Sequence, residues 1–247
     1  MIIKIIILGS GGTIPTLTRN LPAVAMQCDG RLFLFDCGEG TQMQMARAKL
    51  SPGKLEGIYI SHLHGDHVMG LPGLLMSMGH VPRERPLFIF GPPGLNDFVE
   101  GNRRSLGFQS QFPIKIHETK GGRLFHDDTI EIEAVPADHS CFILAFSLKE
   151  HERPGLFLVE EARRLDVPPG PLYGRLQAGE IVTLPDGREI RPEQVLGPAR
   201  RGRKMVYATD TRPCDQVAEL AYKADVLIHD GMFDDDVRDQ ARQKHHS

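Results

Sequence analysis

Between Ser61 and His67 the chain reads Ser61-His62-Leu63-His64-Gly65-Asp66-His67, three imidazoles and a carboxylate in six residues. Neutral imidazole together with carboxylate suits zinc or another borderline divalent ion, and two such ions side by side are a common device for hydrolysing phosphate esters and other activated bonds. The preceding run, Gly57-Ile58-Tyr59-Ile60-Ser61, is β-branched and aromatic and predicts a strand, in which side chains two apart point the same way. His62 and His64 are therefore expected to grip one ion. Gly65 permits a sharp turn into an apolar helical run (Val68, Leu71, Leu74, Leu75, Met78), so Asp66 and His67 are expected to point from another direction and to hold a second ion. A chance cluster of surface histidines is the competing reading, and this density of ligands argues against it.

Other strand ends carry further candidates. His139 follows the alternating strand Ile130, Ile132, Ala134, just as His62 follows its own strand, and is expected to be the third ligand of the first ion. Asp210 closes the strand from Lys204 to Thr209. A carboxylate there can bridge two ions, which an imidazole nitrogen with one lone pair cannot do. Asp36, after the strand Arg31 to Phe35, is expected to be either a ligand or an acceptor that supports a metal-bound histidine.

The elements that must position these residues alternate along the chain. A β-branched strand, Ile2 to Leu8, runs into the glycine-rich turn Gly9-Ser10-Gly11-Gly12-Thr13. A dinucleotide-binding loop is excluded there, because Ile14 stands where the third glycine should be, and Pro15 and Pro22 prevent the receiving helix. Strands are predicted at Ala23 to Cys28, Leu87 to Phe90, Ile114 to Glu118, Cys141 to Leu148 and Val226 to His229. Helices are predicted around Met43 to Ala46, over 95–106, at Val159 to Leu165 and at Cys214 to Lys223, with a polar helix ending the chain. That alternation implies an α/β fold, two mixed sheets between helices.

From Arg153 to Gly202 the texture changes, with fourteen Pro and Gly in fifty residues and a turn signal at Leu184-Pro185-Asp186-Gly187-Arg188 that predicts a hairpin. So long an excursion reads as an arm inserted into a single domain over 1–247. Residues 150–204 hold ten basic and nine acidic residues, including Arg200-Arg201-Gly202-Arg203-Lys204, in a chain whose formal net charge is −3. The overall charge argues against a globally basic nucleic-acid binder but not against a local basic patch. Four cysteines (Cys28, Cys37, Cys141, Cys214) without a C-x-x-C pair predict reduced, buried thiols in a cytoplasmic protein. No run approaches the roughly 18 apolar residues of a membrane span. Met1 to Leu8 is too short for a secretion signal.

The His-x-His-x-Asp-His pattern resembles the signature of the metallo-β-lactamase superfamily. Further stretches resemble ribonuclease Z (tRNase Z), the family of endonucleases that remove 3′ trailers from precursor tRNA: Gly9 to Thr13 with Pro15-Thr16 and Arg19-Asn20-Leu21-Pro22; Phe35-Asp36-Cys37-Gly38-Glu39-Gly40-Thr41-Gln42; Gly91-Pro92-Pro93-Gly94; the Pro169-Gly170-Pro171-Leu172-Tyr173 segment of the arm; and Asp210-Thr211-Arg212-Pro213. The resemblance implies an αββα sandwich with two zinc ions per subunit, one on His62, His64 and His139, the other on Asp66 and His67, and Asp210 bridging them. It implies that Asp66 orients the attacking hydroxide and accepts its proton, while His246, in a His-Ser-Thr-like ending and supported by Asp230, protonates the leaving ribose 3′ oxygen. It makes the arm (153–202) an exosite for the tRNA elbow, with Pro169, Gly170, Pro171, Arg200 and Arg201 as contacts, and makes Arg19 and Asn20 part of a loop that handles the RNA 3′ end. It also implies a cytoplasmic homodimer in which one subunit's arm serves the other.

Against the family's length the chain is expected to be C-terminally truncated at Ser247, short of a Thr-His-x-Ser motif whose histidine completes the second site. His245, Asp234, Asp235 and Asp236 are expected to be solvated. Two other functions compete: a superfamily hydrolase of a small phosphodiester, thioester or lactam, which would need no arm, and a catalytically silent tRNA-binding protein.

Overall fold

A computed structural model describes residues 2–231, 236 and 246. Thirteen strands appear among them: β1 (Ile3–Gly9), β2 (Ala23–Cys28), β3 (Arg31–Phe35), β4 (Leu55–Tyr59), β5 (Leu87–Gly91), β6 (Ile114–Glu118), β7 (Gly122–His126), β8 (Ile130–Pro136), β9 (Leu144–Glu150), β10 (Val182–Thr183), β11 (Glu189–Ile190), β12 (Lys204–Ala208) and β13 (Val226–His229). The helices are α1 (Thr41–Arg47), α2 (Gly65–Val68), α3 (Gly70–Met78), α4 (Leu95–Leu106), α5 (Val159–Arg164), α6 (Pro171–Gln177) and α7 (Asp215–Ala221).

Two mixed sheets face each other, as the alternation of elements predicts. The first runs β1-β2-β3-β4-β5-β6, antiparallel as far as β3 and parallel beyond it; the second runs β13-β12-β9-β8-β7, with only β12 and β13 parallel. Strand β3 shows why this is a layered core. Phe33 and Phe35 point between the sheets into an aromatic cluster with Tyr59, Phe90, Phe146 and Tyr207, while Leu32 and Leu34 point the other way, against Leu71, Leu74 and Leu75 of α3. A central strand buried on both faces needs apolar residues at consecutive positions, which is what Leu32-Phe33-Leu34-Phe35 supplies. On the far side, Val206 and Ala208 pack with Val217 and Leu220 of α7.

Two sequence expectations are corrected and two elements were missed. The apolar helical run after Gly65 is two helices, because Pro72 lacks an amide proton and is accommodated in the first turn of a new helix starting at Gly70. The strand expected from Cys141 begins at Leu144; residues 137–143 close a loop instead, with Ala137 N–H donating to Ile143 O at 3.1 Å. Strand β7, with Gly122 and Arg123 at its start, and helix α6, in the Pro- and Gly-rich segment, carry no strong propensity signal and were not expected. The polar C-terminal helix, with His245, Asp234 and Asp235, lies outside the described residues; Asp236 is exposed.

Residues 153–200 build a small cluster of their own from Ala162, Val167, Leu176, Val182, Leu184, Ile190 and Val195. The expected hairpin is present as β10 and β11. The segment leaves and re-enters through paired backbone at Arg153 with Arg200 and at Phe157 with Leu196. Buried Glu150 clamps its base, accepting from Arg203 Nε at 2.9 Å with Arg153 Nε at 3.3 Å.

Candidate metal centre

Strands β3, β4, β8 and β12 all end at one edge of the sandwich, and the loops beyond them deliver the histidines and carboxylates. Ile60 N–H still bonds Phe90 O (2.8 Å) and Leu144 N–H bonds Ser61 O (3.0 Å), which fixes the stretch into His62 between the two sheets. These loops bring His62, His64, His67, His139 and Asp210 together. One donor atom each of His62, His64 and His139 lies within 4.8 Å of the others, and the same holds for His62, His67 and Asp210. His67 Nε2 is 3.2 Å from Asp210 Oδ2 and 3.6 Å from Asp66 Oδ2; His62 Nε2 is 3.8 Å from Asp210 Oδ2. Separations of this order are those of ligands sharing an ion at about 2.0–2.2 Å from each.

Asp36 resolves as a support. It is fully buried, and its carboxylate accepts from Ser61 N (2.7 Å), Ser61 Oγ (2.8 Å), His67 Nδ1 (2.7 Å) and Tyr207 Oη (2.8 Å). This hub fixes two tautomers. Ser61 Oγ gives its single proton to Asp36, so at 2.9 Å from His62 Nδ1 it accepts, and the His62 proton sits on Nδ1. His67 likewise donates through Nδ1. Both Nε2 atoms are left facing the cluster, buried and without hydrogen-bond geometry to any group. An orphaned buried lone pair is costly unless something else occupies it, and here the donor set fits a divalent cation.

The electrostatics agree. Burial, then the neighbouring His67, lowers His62 to about 3, so it stays a neutral ligand. Burial works against a charge on His67 as well, but Asp36 and Asp210 raise it to about 10. Asp210, despite burial, is held below the ordinary carboxylate range chiefly by His67. The rings of His62 and His67 are 4.2 Å apart and shift oppositely. Three carboxylates, Asp36, Asp66 and Asp210, thus converge on His67, an environment that favours positive charge. Asp36 (φ 55°) and Asp210 (φ 45°) both adopt the left-handed backbone region, a conformation that clusters at functional sites.

The glycine-rich turn after β1 has a role the sequence did not disclose: Thr13 N–H donates to Asp66 Oδ2 at 2.8 Å. Arg19 is exposed and lines a cleft of 470 Å³ with Gly9, Gly11, Gly12, Thr209, Asp210 and Asp230, while Asn20 holds Gly11 N–H through its carbonyl (2.8 Å). His246 reaches the same region, its Nδ1 2.6 Å from Asp230 Oδ2 and its ring 5.2 Å from that of His139. Pro169 and Gly170 just before α6, and Pro171 at its start, are exposed within the arm. Arg200 Nε donates to Pro154 O (3.0 Å) and Arg201 bonds Lys223 O and Asp225 at the arm's base. Sequence reasoning missed two participants. Tyr207 is 171 residues from the Asp36 it supports. Cys141, read as a buried small hydrophobe, has its Sγ within the His62, His64, His139 cluster; its position two residues after His139 was the available signal.

Comparison with known proteins adds a consistent picture. A family model described as Anti-Pycsar protein Apyc1 matches residues 3–102. Ribonuclease Z of Methanothermobacter thermautotrophicus is 43% identical over 244 residues, covering 99% of this chain and 79% of that protein. Ribonuclease Z of Nostoc punctiforme is 42% identical over 246 residues, covering 99% and 77%. Human tRNase Z, short form, superposes with a TM-score of 0.73 at 27% identity over 98% of this chain and 83% of that one. The metallo-β-lactamase fold protein YhfI of Bacillus subtilis, at 16% identity and a TM-score of 0.62 over 99% and 76%, shares the fold.

Proposed function

The chain belongs to the ribonuclease Z family, and on that premise we propose how its residues perform the family's reaction. It is a metal-dependent endoribonuclease of the metallo-β-lactamase fold that processes the 3′ end of precursor tRNA. The observation that carries the reading is that the buried Nε2 atoms of His62 and His67 both face Asp210, at 3.8 and 3.2 Å, while Ser61 and Asp36 hold the Nδ1 atoms of the same rings.

In the proposed arrangement His62, His64 and His139 would hold one zinc ion and Asp66 and His67 a second, with Asp210 placed to contribute to both. When bound, the ions supply a water that ionises near neutral pH and positive charge against the phosphodiester as it gains negative charge. The chain's own groups do the rest. Asp66, fixed by Thr13 N–H, orients the attacking water and takes its proton. His246, held at Nδ1 by Asp230, presents the other ring nitrogen to protonate the leaving ribose 3′ oxygen, leaving the tRNA with a 3′-OH and the trailer with a 5′-phosphate. Arg19, beside the cleft, neutralises phosphate, and Asn20 keeps that loop closed on the glycine turn.

The arm over 153–202 is proposed as the exosite for the tRNA elbow, with Pro169, Gly170 and Pro171 as its exposed contact. Its arginines are answered by local acids, Arg163 by Glu160, Arg164 by Glu161 and Arg175 by Glu180. Exposed pairs of that kind contribute about 0–1 kcal/mol and exchange readily for phosphates. Arg200 and Arg201, engaged at the base, would contribute by steadying the arm as well as by charge. A homodimer is also proposed, supported by the exposed Met43 on α1, Met69 between α2 and α3, and Met76 on α3. The site of action is proposed to be the cytoplasm; no helix among the described residues is long and apolar enough to cross a membrane.

The test is to strip metal with a chelator, restore zinc, and analyse the ends of the products from a 3′-extended precursor tRNA. One cut giving a tRNA 3′-OH, with two zinc ions per chain, supports the scheme. A 2′,3′-cyclic phosphate product, or cleavage that persists without metal, overturns it.

A further inference from the structure

Across the first sheet an aromatic ring on each strand stacks on that of the next. Phe35, Tyr59, Phe90 and His117 are register partners on β3, β4, β5 and β6. Their centroids are 5.2, 5.1 and 5.2 Å apart, and successive planes differ by 23°, 8° and 19°. The first three rings are buried. His117 is exposed, because β6 is the edge of the sheet and no strand pairs beyond it among the described residues. One face of its imidazole rests on Phe90, with Phe88 6.0 Å away, so the next position of the ladder faces solvent. The same edge is cationic. Lys115, its Nζ 5.5 Å from the Phe88 centroid, and Lys120 in the following turn are exposed and form no ion pair among the described residues. Glu118 is turned to α4 instead, accepting from Gly94 N and Asn96 N at 2.9 Å. Lysine on an edge strand disfavours the addition of another strand, so the occupant is not a β-strand. Phe35 and Tyr59 lie just before the loops that carry Asp36 and His62, and with strands about 4.8 Å apart His117 stands at that same end, about 10 Å across the sheet from β4.

We propose that His117 and Lys115 form a nucleobase-stacking subsite for the single-stranded 3′ trailer. A trailer base lies on the outer face of His117 as the next ring of the ladder, and Lys115 and Lys120 sit against the flanking phosphates. The inference rests on the ribonuclease reading and gives a place to the part of the substrate that is released. Stacking on an aromatic face tolerates any sequence, since every base has a π-face. The platform is preorganised, because Phe90 and Tyr59 behind it are fixed in the core, and only the base has to be ordered on binding.

The test uses the zinc-loaded full chain and precursor tRNAs with trailers of one and of eight nucleotides. His117→Ala is expected to raise KM for the long trailer at least about fivefold with kcat within about twofold, and to leave the short trailer unchanged. His117→Phe, which keeps a ring at that position, is expected to restore KM. Lys115→Ala is expected to make the affinity for the long trailer less dependent on salt. In a binding arm, 2-aminopurine is placed in turn along an eight-nucleotide RNA with a 5′-phosphate, the released trailer, and along the single-stranded 3′ end of a mature tRNA. Its fluorescence is expected to be quenched at a trailer position by the wild type and His117→Phe, and not by His117→Ala. Quenching that survives His117→Ala, quenching confined to the tRNA, or equal KM changes for the two trailers overturns the subsite while leaving the nuclease reading intact. Failure of the wild type to cut either substrate overturns that reading, and the trailer subsite with it.

Discussion

At the scale of single residues, the centre depends on Asp36 as much as on any ligand. Four donors converge on one buried carboxylate, and two of them set the tautomers that leave His62 and His67 able to bind metal. Removing the outermost donor should separate support from ligation. Tyr207→Phe deletes a hydrogen bond to a buried carboxylate and is expected to lower stability by about 1.5–3 kcal/mol in urea unfolding, with zinc affinity nearly unchanged. Asp36→Ala, by contrast, frees both imidazoles and is expected to weaken zinc about 10–100-fold, read by competition with a chromophoric chelator. The ligand types were legible in the sequence because His62, His64, Asp66 and His67 crowd into one stretch. Tyr207 and Cys141 were not, since nothing local reveals that β12 brings a phenol beneath Asp36 or that the loop after β8 folds back beside His62.

The elements deserve their places for reasons that are partly local. β-Branched and aromatic runs gave β1 to β5 and β12 within a residue or two, most clearly in central strands such as β3, which is buried on both faces and apolar at successive positions. β7 escaped notice because Gly122 and Arg123 weaken its signal, and α6 because its proline and glycines read as turn; packing of Leu176 into the arm's cluster makes it a helix. Backbone contact matters equally. A Cβ at Gly70 would lie 2.0 Å from Gly38 O, so α3 can start where it does only with glycine there. Gly70→Ala is expected to cost at least about 1–3 kcal/mol in thermal unfolding and to disturb Asp66 and His67, since Gly70 N–H and His67 O both bond Cys37.

The two sheets are also joined electrostatically, by Arg31 of β3 and Asp127 in the turn between β7 and β8. Burial opposes ionisation of Asp127, but Thr129, the Ile130 amide and Arg31 lower it to about 2. Its folded value is thus below the unfolded one near 3.9, so the stabilisation is fully present above about pH 4 and is lost as pH falls through about 2. Asp127→Asn should therefore flatten the stability profile between about pH 4 and 2 while leaving the profile's shape above pH 5 unchanged. A profile that keeps its acid slope in that window would place the loss elsewhere.

For the whole molecule, the body and the arm are separate packing units joined by a paired stalk; within the arm the hairpin and α5 were legible from turn chemistry and periodicity, while α6 was not. Gly155 is packed so closely on Gly197 O that a Cβ would lie 1.9 Å away, marking where the stalk closes. Replacing residues 156–196 with a short glycine linker keeps that closure. It is expected to leave the midpoint of body unfolding within a few degrees and hydrolysis of a small phosphodiester within about twofold, while KM for precursor tRNA rises at least about tenfold, the loss of a remote grip. Equal losses on both substrates would contradict the exosite role.

The centre and the arm meet in one reaction, cleavage of a 3′-extended precursor tRNA in the presence of zinc by the wild type, His64→Ala and Asp66→Ala, scored for position and rate. The arrangement of His62, His64, His139, Asp66, His67 and Asp210 predicts a single cut that releases the 3′ trailer in the wild type and a loss of at least about a hundredfold in each variant. Undiminished cleavage by both variants would contradict the metal-centred account; binding of the tRNA without any cut by the wild type would contradict the nuclease itself.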